Sequence, residues 1–201
     1  DVIERATRIP GYDDSWPLSD PHSGRVVKTV SAKALWVKLI QNRVETGEPY
    51  IMLGDTVDES VPEFQKELGL KVHQSNLCSE ITLPTDKDRT AVCCLSSVNL
   101  EEYDEWKYDD QFIPDLIRML DNVLDNFITN APDQLSRAKY SATRERSLGL
   151  GAMGFHAYLQ RNNIPFESAM AAGRNRMMFQ RIKSEAERAT RQLAEERGPC
   201  P

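Results

Sequence analysis

SNLCSEITLPT, residues 75–85, places an amide, a thiol and a carboxylate at alternate positions, on Asn76, Cys78 and Glu80. On an extended backbone, side chains two and four residues apart point to the same face, so these three groups share one face. The ends of that row lie about 13 Å apart if the segment is fully extended. A curled segment would gather all three groups around one small substrate. From the spacing alone, a polar strand face with Cys78 buried as a small hydrophobic residue remains an alternative.

The composition is that of a chain with one domain. The sequence has 201 residues, 40% of them hydrophobic, which is enough for a real core and too few to require two domains. A net charge of −6 argues against a broad basic surface for nucleic acid. No apolar run reaches the length of a bilayer crossing, and no charged-then-apolar leader indicates secretion. We therefore expect a cytoplasmic protein with neither a membrane nor a nucleic acid as partner.

The cysteines are too few and too irregularly spaced for a disulfide-stapled secreted protein. They are Cys78, Cys93, Cys94 and Cys200. In a reducing cytoplasm we expect free thiols, and a disulfide there would be transient and catalytic. Zinc ligation by these thiols with His73 is disfavoured, because no C-x2-C pair is present and adjacent cysteines chelate one tetrahedral ion poorly. A hydrolase pair of Cys78 with His73 is a further alternative that nothing in the sequence favours.

Short apolar strands alternate with longer amphipathic helices along the chain. Residues up to 23 are predicted to be irregular because breakers recur there, and residues 72–83 to mix loop with strand. This alternation predicts an α/β fold with at least partly parallel strands. The predicted strands are residues 25–30, 48–53 and 90–100. The predicted helices are residues 32–46, 61–68, 113–128, about 154–159 and about 174–196.

GLGAMG, residues 149–154, matches the G-x-G-x-x-G pattern of dinucleotide-binding turns. The glycines follow a charged stretch and not a hydrophobic strand, and no acidic residue closes a second strand about 20 positions further on. We therefore reject dinucleotide binding and interpret these glycines as sites of tight helix–strand packing.

Several segments in the same order resemble the large, catalytic subunit of class I ribonucleotide reductase. They are SNLCSEITLPT (75–85), AVCCLSSVNL (91–100), RSLGLGAMGF (146–155) and EERGPCP (195–201), with TGEPYIML (46–53) upstream. The combination of N-x-C-x-E with the cysteine-containing strand and GLG-x-x-G is specific. The resemblance implies a ten-stranded α/β barrel with a finger loop, about residues 74–84, threaded through its centre. Residues 1–201 would then be a single partial domain, an internal fragment of the catalytic barrel.

The resemblance also implies a role for each polar group of the opening stretch. Cys78 matches the cysteine that becomes a thiyl radical and takes the 3′ hydrogen from the ribose of a ribonucleotide. Glu80 matches the general base for the 3′-hydroxyl proton, and Asn76 matches the amide that orients the ribose hydroxyls. Cys93 matches one of two thiols that reduce the 2′ position and end as a disulfide. Cys94 falls where the family usually has another residue, so we interpret it as packing.

The same resemblance implies the partners of the full-length enzyme. The residues Asn76, Cys78 and Glu80 would bind a ribonucleoside diphosphate, and no cofactor is expected on the chain itself. A metal-containing small subunit would supply the radical, thioredoxin or glutaredoxin the electrons, and ATP and deoxynucleotides would act as effectors on a homodimer. The second reducing cysteine, the phosphate loop and the relay tyrosines would lie outside these residues, so we expect the isolated fragment to be inactive. An adenosylcobalamin-dependent reductase and a non-catalytic paralogue remain alternatives.

Overall fold

The computed structural model describes residues 4–5 and 8–201. The chain forms two compact units, Asp1–Leu53 with Leu77–Ser79, and Gly54–Asn76 with Glu80–Pro201. Four strands and eight α-helices lie among the described residues, in two separate two-stranded sheets. The predicted mixture of strands and helices is therefore confirmed, and the ten strands of a closed barrel would need more strands than these residues contain.

The first unit begins with an antiparallel hairpin of β1 (Ser15–Ser19) and β2 (Val26–Ser31). Asp20 closes the turn between them by accepting two backbone N–H hydrogen bonds through Oδ1, at 3.1 and 2.7 Å. An aspartate that bonds the backbone two and three residues ahead is a common turn former. β2 confirms the strand predicted for residues 25–30.

β1 corrects the prediction that the residues up to 23 are irregular. Pro17 is one of the breakers in that stretch, but a strand of a two-stranded sheet has one unpaired edge, where a residue without an N–H is tolerated. The part of the prediction that falls on residues 1–3 and 6–7 lies outside the described residues.

Helix α1 (Ala32–Thr46) follows the hairpin directly and confirms the predicted helix. Ser31 caps its first turn, since the side-chain oxygen accepts a hydrogen bond from the Ala34 N–H at 3.0 Å. The Ser31 hydroxyl itself donates to Asp14 at 2.5 Å, which ties the helix start to the residues before the hairpin. Gly47 ends the helix at φ +81°, a left-handed conformation that glycine adopts without steric cost.

The second unit contains the remaining helices and the buried core. They are α2 (Gly54–Ser60), α3 (Glu63–Glu67), α4 (Tyr103–Trp106), α5 (Phe112–Asn130), α6 (Ser136–Glu145), α7 (Phe155–Arg161) and α8 (Ala169–Arg197). Short 3₁₀ turns at Leu100–Glu102 and Asp133–Leu135 precede α4 and α6. The predicted helices at 61–68, 113–128 and 154–159 are confirmed as α3, α5 and α7. The last helix begins five residues earlier than predicted, because Ser168 caps it.

The parallel strands β3 (Cys94–Asn99) and β4 (Leu148–Met153) form the second sheet, with Cys94 opposite Leu148 and Asn99 opposite Met153. Helices α4, α5 and α6 lie between the two strands in sequence and supply the long connection that parallel pairing requires. The prediction of partly parallel strands is therefore confirmed. β4 itself was not predicted, since it lies within the glycine-containing GLGAM stretch.

The core lies between the sheet and helices α5, α7 and α8. Ile113 and Ile117 of α5 are 1% and 4% exposed, and Met178 of α8 is fully buried in the same cluster. Burying a side chain of this size contributes about 1.5–3 kcal/mol, so the apolar stripe of α5 explains why this helix folds onto the sheet.

Two predicted strands are wrong. Residues 48–53 are irregular, with Tyr50 and Leu53 half or more exposed, and no described strand runs beside them to complete a ladder. Residues 72–83 contain no strand either, and the predicted strand at 90–100 begins only at Cys94. Helices α2 and α6 were not predicted, because neither has a long apolar stripe.

Candidate functional site

The predicted finger loop, residues 74–84, turns back on itself. Residues 77–79 form a turn in which Ser79 takes φ +66°. Asn76 and Glu80 consequently meet, with Asn76 Nδ2 donating to Glu80 Oε1 at 2.5 Å. Asn76 Oδ1 also accepts the Ile81 N–H at 3.0 Å. The extended row is therefore wrong, and the curled alternative is right for the amide and the carboxylate.

Cys78 lies within the turn and its side chain is exposed. This corrects the alternative in which Cys78 is a buried hydrophobic residue of a strand. The residues on either side of it, Leu77 and Ser79, belong with it to the first compact unit, while Asn76 and Glu80 belong to the second.

A groove of about 300 Å³ in the second unit contains two of the predicted catalytic residues. Asn76 and Cys93 both line it, together with Thr90 and Leu95. Since Glu80 is bonded to Asn76, three of the four predicted catalytic residues are close to this groove or line it. Residues of the loop before β3 and of β3 itself therefore line the same groove as the Asn76 amide.

Cys93 immediately precedes β3 and packs against a glycine of β4. A Cβ built on Gly149 would lie 3.3 Å from Cys93 Sγ, so the missing side chain of Gly149 makes room for the thiol. The Cys93 thiol donates a long hydrogen bond of 3.7 Å to the Cys94 carbonyl. Burial, and secondarily the neighbouring Cys94, raise the pKa of the Cys93 thiol. Cys93 is therefore held in the protonated form at neutral pH.

Cys94 is the first residue of β3 and is partly buried. Burial raises the pKa of its thiol as well. These observations agree with a packing role.

The glycines of GLGAMG serve close contact between backbone segments. Gly149 and Gly151 lie on β4, where added Cβ atoms would meet Leu95 and Ser97 of β3. Gly154 has φ +79° and is the N-cap residue of α7. Close packing at these glycines is confirmed, but the prediction of helix–strand packing is wrong, because the neighbours of Gly149 and Gly151 lie on a strand.

No group of three or more His, Cys, Asp or Glu side chains in the described ranges could hold a metal ion. His73, considered above as a zinc ligand or a base for Cys78, has its Nδ1 atom 2.6 Å from the Thr85 carbonyl oxygen.

Two contacts beside the groove segment were not predicted, a buried ion pair and an exposed hydrogen bond. Arg89 Nη1 donates to Glu145 Oε1 at 2.6 Å, with the two side chains only 13% and 8% exposed. Burial raises the pKa of Glu145 even though Arg89 opposes the shift. Nearby, Arg137 Nη1 donates to the Lys87 carbonyl oxygen at 3.2 Å. Both contacts fasten residues 86–90, which lead into Cys93, to helix α6, and they join residues too distant in sequence to be recognised from a local pattern.

A larger ion-pair network joins α5 to the residues that follow α6 and end α8. Asp121 accepts hydrogen bonds from both Arg146 and Arg197, and Asp125 accepts one from Arg146 at 2.7 Å. Asp121 is itself buried, so paired guanidinium groups are what make its charge tolerable there. Arg146 has φ +43°, and it begins the turn into β4.

The chain thus combines a parallel strand pair, long helical connections and a groove lined by the asparagine of an N-x-C-x-E segment, the features expected of a ribonucleotide reductase barrel. Residues 17–201 match the family described as "Ribonucleotide reductase, barrel domain". The chain belongs to this family, and the resemblance inferred from the sequence is confirmed.

The individual relatives are large subunits of ribonucleoside-diphosphate reductase. The chain is 50% identical over 186 residues to the "Ribonucleoside-diphosphate reductase large subunit" of Invertebrate iridescent virus 3, covering 92% of this chain and 30% of that protein. It is 51% identical over 203 residues to the "Putative ribonucleoside-diphosphate reductase large subunit" of Frog virus 3, covering 100% of this chain and 36% of that protein. The chain thus spans about a third of the length of these relatives.

A solved structure is similar as well. The alpha subunit of the class Id ribonucleotide reductase of Actinobacillus ureae matches with a TM-score of 0.78 and 41% identity. The match covers 84% of this chain and 32% of that subunit. Of the helices in the described part of this chain, none has the length and apolar character needed to cross a membrane.

Proposed function

We propose that this chain is the part of a ribonucleoside-diphosphate reductase that carries the radical cysteine, the general base and one reducing thiol. The observation that carries the proposal is the meeting of Asn76 and Cys93 in one groove, with Glu80 bonded to Asn76. Family membership and the names of the relatives support the reaction class. The reaction would make 2′-deoxyribonucleotides for DNA synthesis.

In the proposed reaction each residue has a separate task. A thiyl radical on Cys78 takes the 3′ hydrogen atom of the ribose, and Glu80 accepts the proton of the 3′ hydroxyl. Asn76 orients the ribose hydroxyls. Cys93 and a second thiol supply two electrons and two protons, so the 2′ hydroxyl leaves as water and the two sulfurs end as a disulfide. The 3′ hydrogen then returns to carbon and regenerates the radical.

The environment of Cys93 supports its part in this scheme. A reducing dithiol must deliver protons as well as electrons, and the raised pKa keeps the Cys93 thiol protonated before the reaction. The missing side chain at Gly149 leaves space beside Sγ, so the thiol can change position when it forms a disulfide.

We further propose the class I arrangement, as in the "class Id" relative. A separate metal-containing small subunit would deliver the radical to Cys78, and thioredoxin or glutaredoxin would reduce the disulfide. ATP and deoxynucleotides would regulate a cytoplasmic homodimer. In the same proposal, residues 1–201 are one part of the catalytic barrel domain, and residues 74–84 are its finger loop.

The decisive experiment replaces Cys78 by serine in the full-length protein, assayed with a radical-generating small subunit and thioredoxin. We expect Cys78→Ser to abolish formation of deoxynucleotides while nucleoside diphosphate binding persists, because serine cannot form the radical but keeps the shape of the loop. Cys200→Ser is the matched control, since Cys200 is an exposed thiol far along the chain from the loop. Unchanged turnover in Cys78→Ser would overthrow the thiyl role.

A further inference from the structure

The two residues that flank the predicted finger loop are bonded to each other. His73 directly precedes residues 74–84 and Thr85 directly follows them, and His73 Nδ1 lies 2.6 Å from the Thr85 carbonyl oxygen. The Thr85 N–H donates to the Lys71 carbonyl at 3.2 Å. Both backbone polar groups of Thr85 are therefore tied to the arm of the loop that enters it.

We propose that His73 is a positioning residue. Its bond to Thr85 holds together the two ends of the finger loop, residues 71–73 and Thr85, which we call the neck of the loop. The proposal rests on the function proposed above, because it assigns His73 a role through Asn76, Cys78 and Glu80 and none in the chemistry itself.

The arm that enters the loop is fixed to the body of the second unit. The Val72 N–H donates to Asp58 Oδ1 on helix α2 at 3.0 Å, and the Val72 side chain is only 4% exposed. On the other arm, Pro84 is fully buried next to Thr85. The bond from His73 to Thr85 therefore joins two anchored points, and it restricts the loop between them.

Closing the neck matters because the described residues 71–85 form no strand. In a hairpin the ladder would hold the two arms together, whereas here single hydrogen bonds must do so. Near the tip the bonds of Asn76 to Glu80 and Ile81 close the turn, and at the neck His73 and Lys71 bind Thr85. If the bonds at the neck broke, residues 74–84 would gain conformational freedom, and the catalytic groups would occupy a wider range of positions.

The chemistry of the contact allows a rescue experiment. The Thr85 carbonyl accepts, so His73 must donate from Nδ1, which both the Nδ1–H tautomer and the imidazolium do. The amide nitrogen of asparagine occupies nearly the place of Nδ1, whereas that of glutamine lies nearer the place of Nε2. His73→Asn should keep the hydrogen bond to the Thr85 carbonyl, which we call the clasp, while His73→Gln and His73→Ala should lose it.

The experiment measures amide hydrogen exchange of peptides within residues 74–84, by mass spectrometry, in the full-length protein. We expect exchange to be about three- to tenfold faster in His73→Ala and His73→Gln, because that factor corresponds to the net free energy of one hydrogen bond. In His73→Asn the exchange rate should stay within about twofold of that of the parent protein. Turnover with the small subunit should follow the same order, with kcat reduced by a similar factor. His22→Ala is the control, because this exposed histidine makes no ring hydrogen bond in the described part of the chain.

Three results would overturn the proposal. Exchange that is the same in all His73 variants would refute the clasp. Faster exchange with unchanged kcat would refute its role in positioning, and equal loss in His73→Asn would refute the assignment to the Nδ1 donor. Failure of the parent protein to reduce ribonucleotides would refute the proposed function instead, and the exchange measurement would then still decide whether the clasp exists.

Discussion

Replacing Gly149 by alanine should displace the Cys93 thiol and destabilise the protein, whereas the same change at Gly173 should do neither. A Cβ on Gly149 would lie well inside contact distance of Leu95 Cδ2 and 3.3 Å from Cys93 Sγ. A Cβ on Gly173, within helix α8, would meet nothing within 4 Å. The two substitutions add the same methyl group, so the surroundings alone distinguish them.

The magnitude follows from how far the neighbours can move. Leu95 is 55% exposed, so the end of its side chain can rotate away, and the overpacking cost falls at the low end of the usual range, about 1 kcal/mol. Alanine at Gly149 regains about 0.4 kcal/mol of this by restricting the unfolded chain, which leaves a net loss of stability of about 0.6 kcal/mol. Gly173→Ala should stabilise α8 by about 0.5–1 kcal/mol, because alanine favours helix and meets no obstacle.

Two measurements test this reasoning. Urea unfolding gives the free energy of unfolding, which should fall in Gly149→Ala and rise in Gly173→Ala. The rate of Cys93 alkylation by iodoacetamide, followed by mass spectrometry, should change in Gly149→Ala alone, because only there must Sγ shift. If Gly149→Ala unfolds like the parent protein and its Cys93 reacts at the same rate, the close approach of β4 to Cys93 is not what holds the thiol.

Two further substitutions test the finger loop and the buried ion pair. Asn76→Ala removes the hydrogen bonds to Glu80 and Ile81, so amide hydrogen exchange within residues 74–84 should become about tenfold faster, and kcat/KM should fall by at least that factor. If activity is lost while the exchange rate stays that of the parent protein, Asn76 acts only by contacting the substrate. Burial raises the pKa of Glu145, so its contribution to stability is full below the ordinary value of 4.5 and is lost as pH rises through the raised pKa. Glu145→Gln cannot titrate, so urea unfolding from pH 4 to 8 should show the parent protein losing stability relative to the variant as pH rises. Parallel profiles would contradict the pKa shift.

The long helices were predictable because their signal is local. The stripe of α5 recurs every three to four residues, and Ile113 and Ile117 are buried where that period places them. α1 was bounded correctly for the same kind of reason, with Ser31 at its start and Gly47 at its end.

The parts that failed depend on neighbours distant in sequence. β4 was missed because glycine disfavours strands, and Gly149 makes sense only beside Leu95 of β3. Spacing alone cannot predict the turn at residues 77–79, because it cannot show that Ser79 takes a left-handed conformation. The pairing of Arg89 with Glu145 spans the whole of α5, and no local pattern marks it.

The amide of Asn76 and the carboxylate of Glu80 are hydrogen-bonded to each other, at 2.5 Å. A ligand that takes the place of that bond exchanges like for like if it carries neighbouring hydroxyls, and leaves two polar groups unmatched if it does not. In the proposed reaction the product has lost one hydroxyl and competes less well for the same two groups. In that reaction, re-forming the internal bond would favour departure of the deoxynucleotide over its precursor, so one hydrogen bond would contribute both to the choice of substrate and to the release of product.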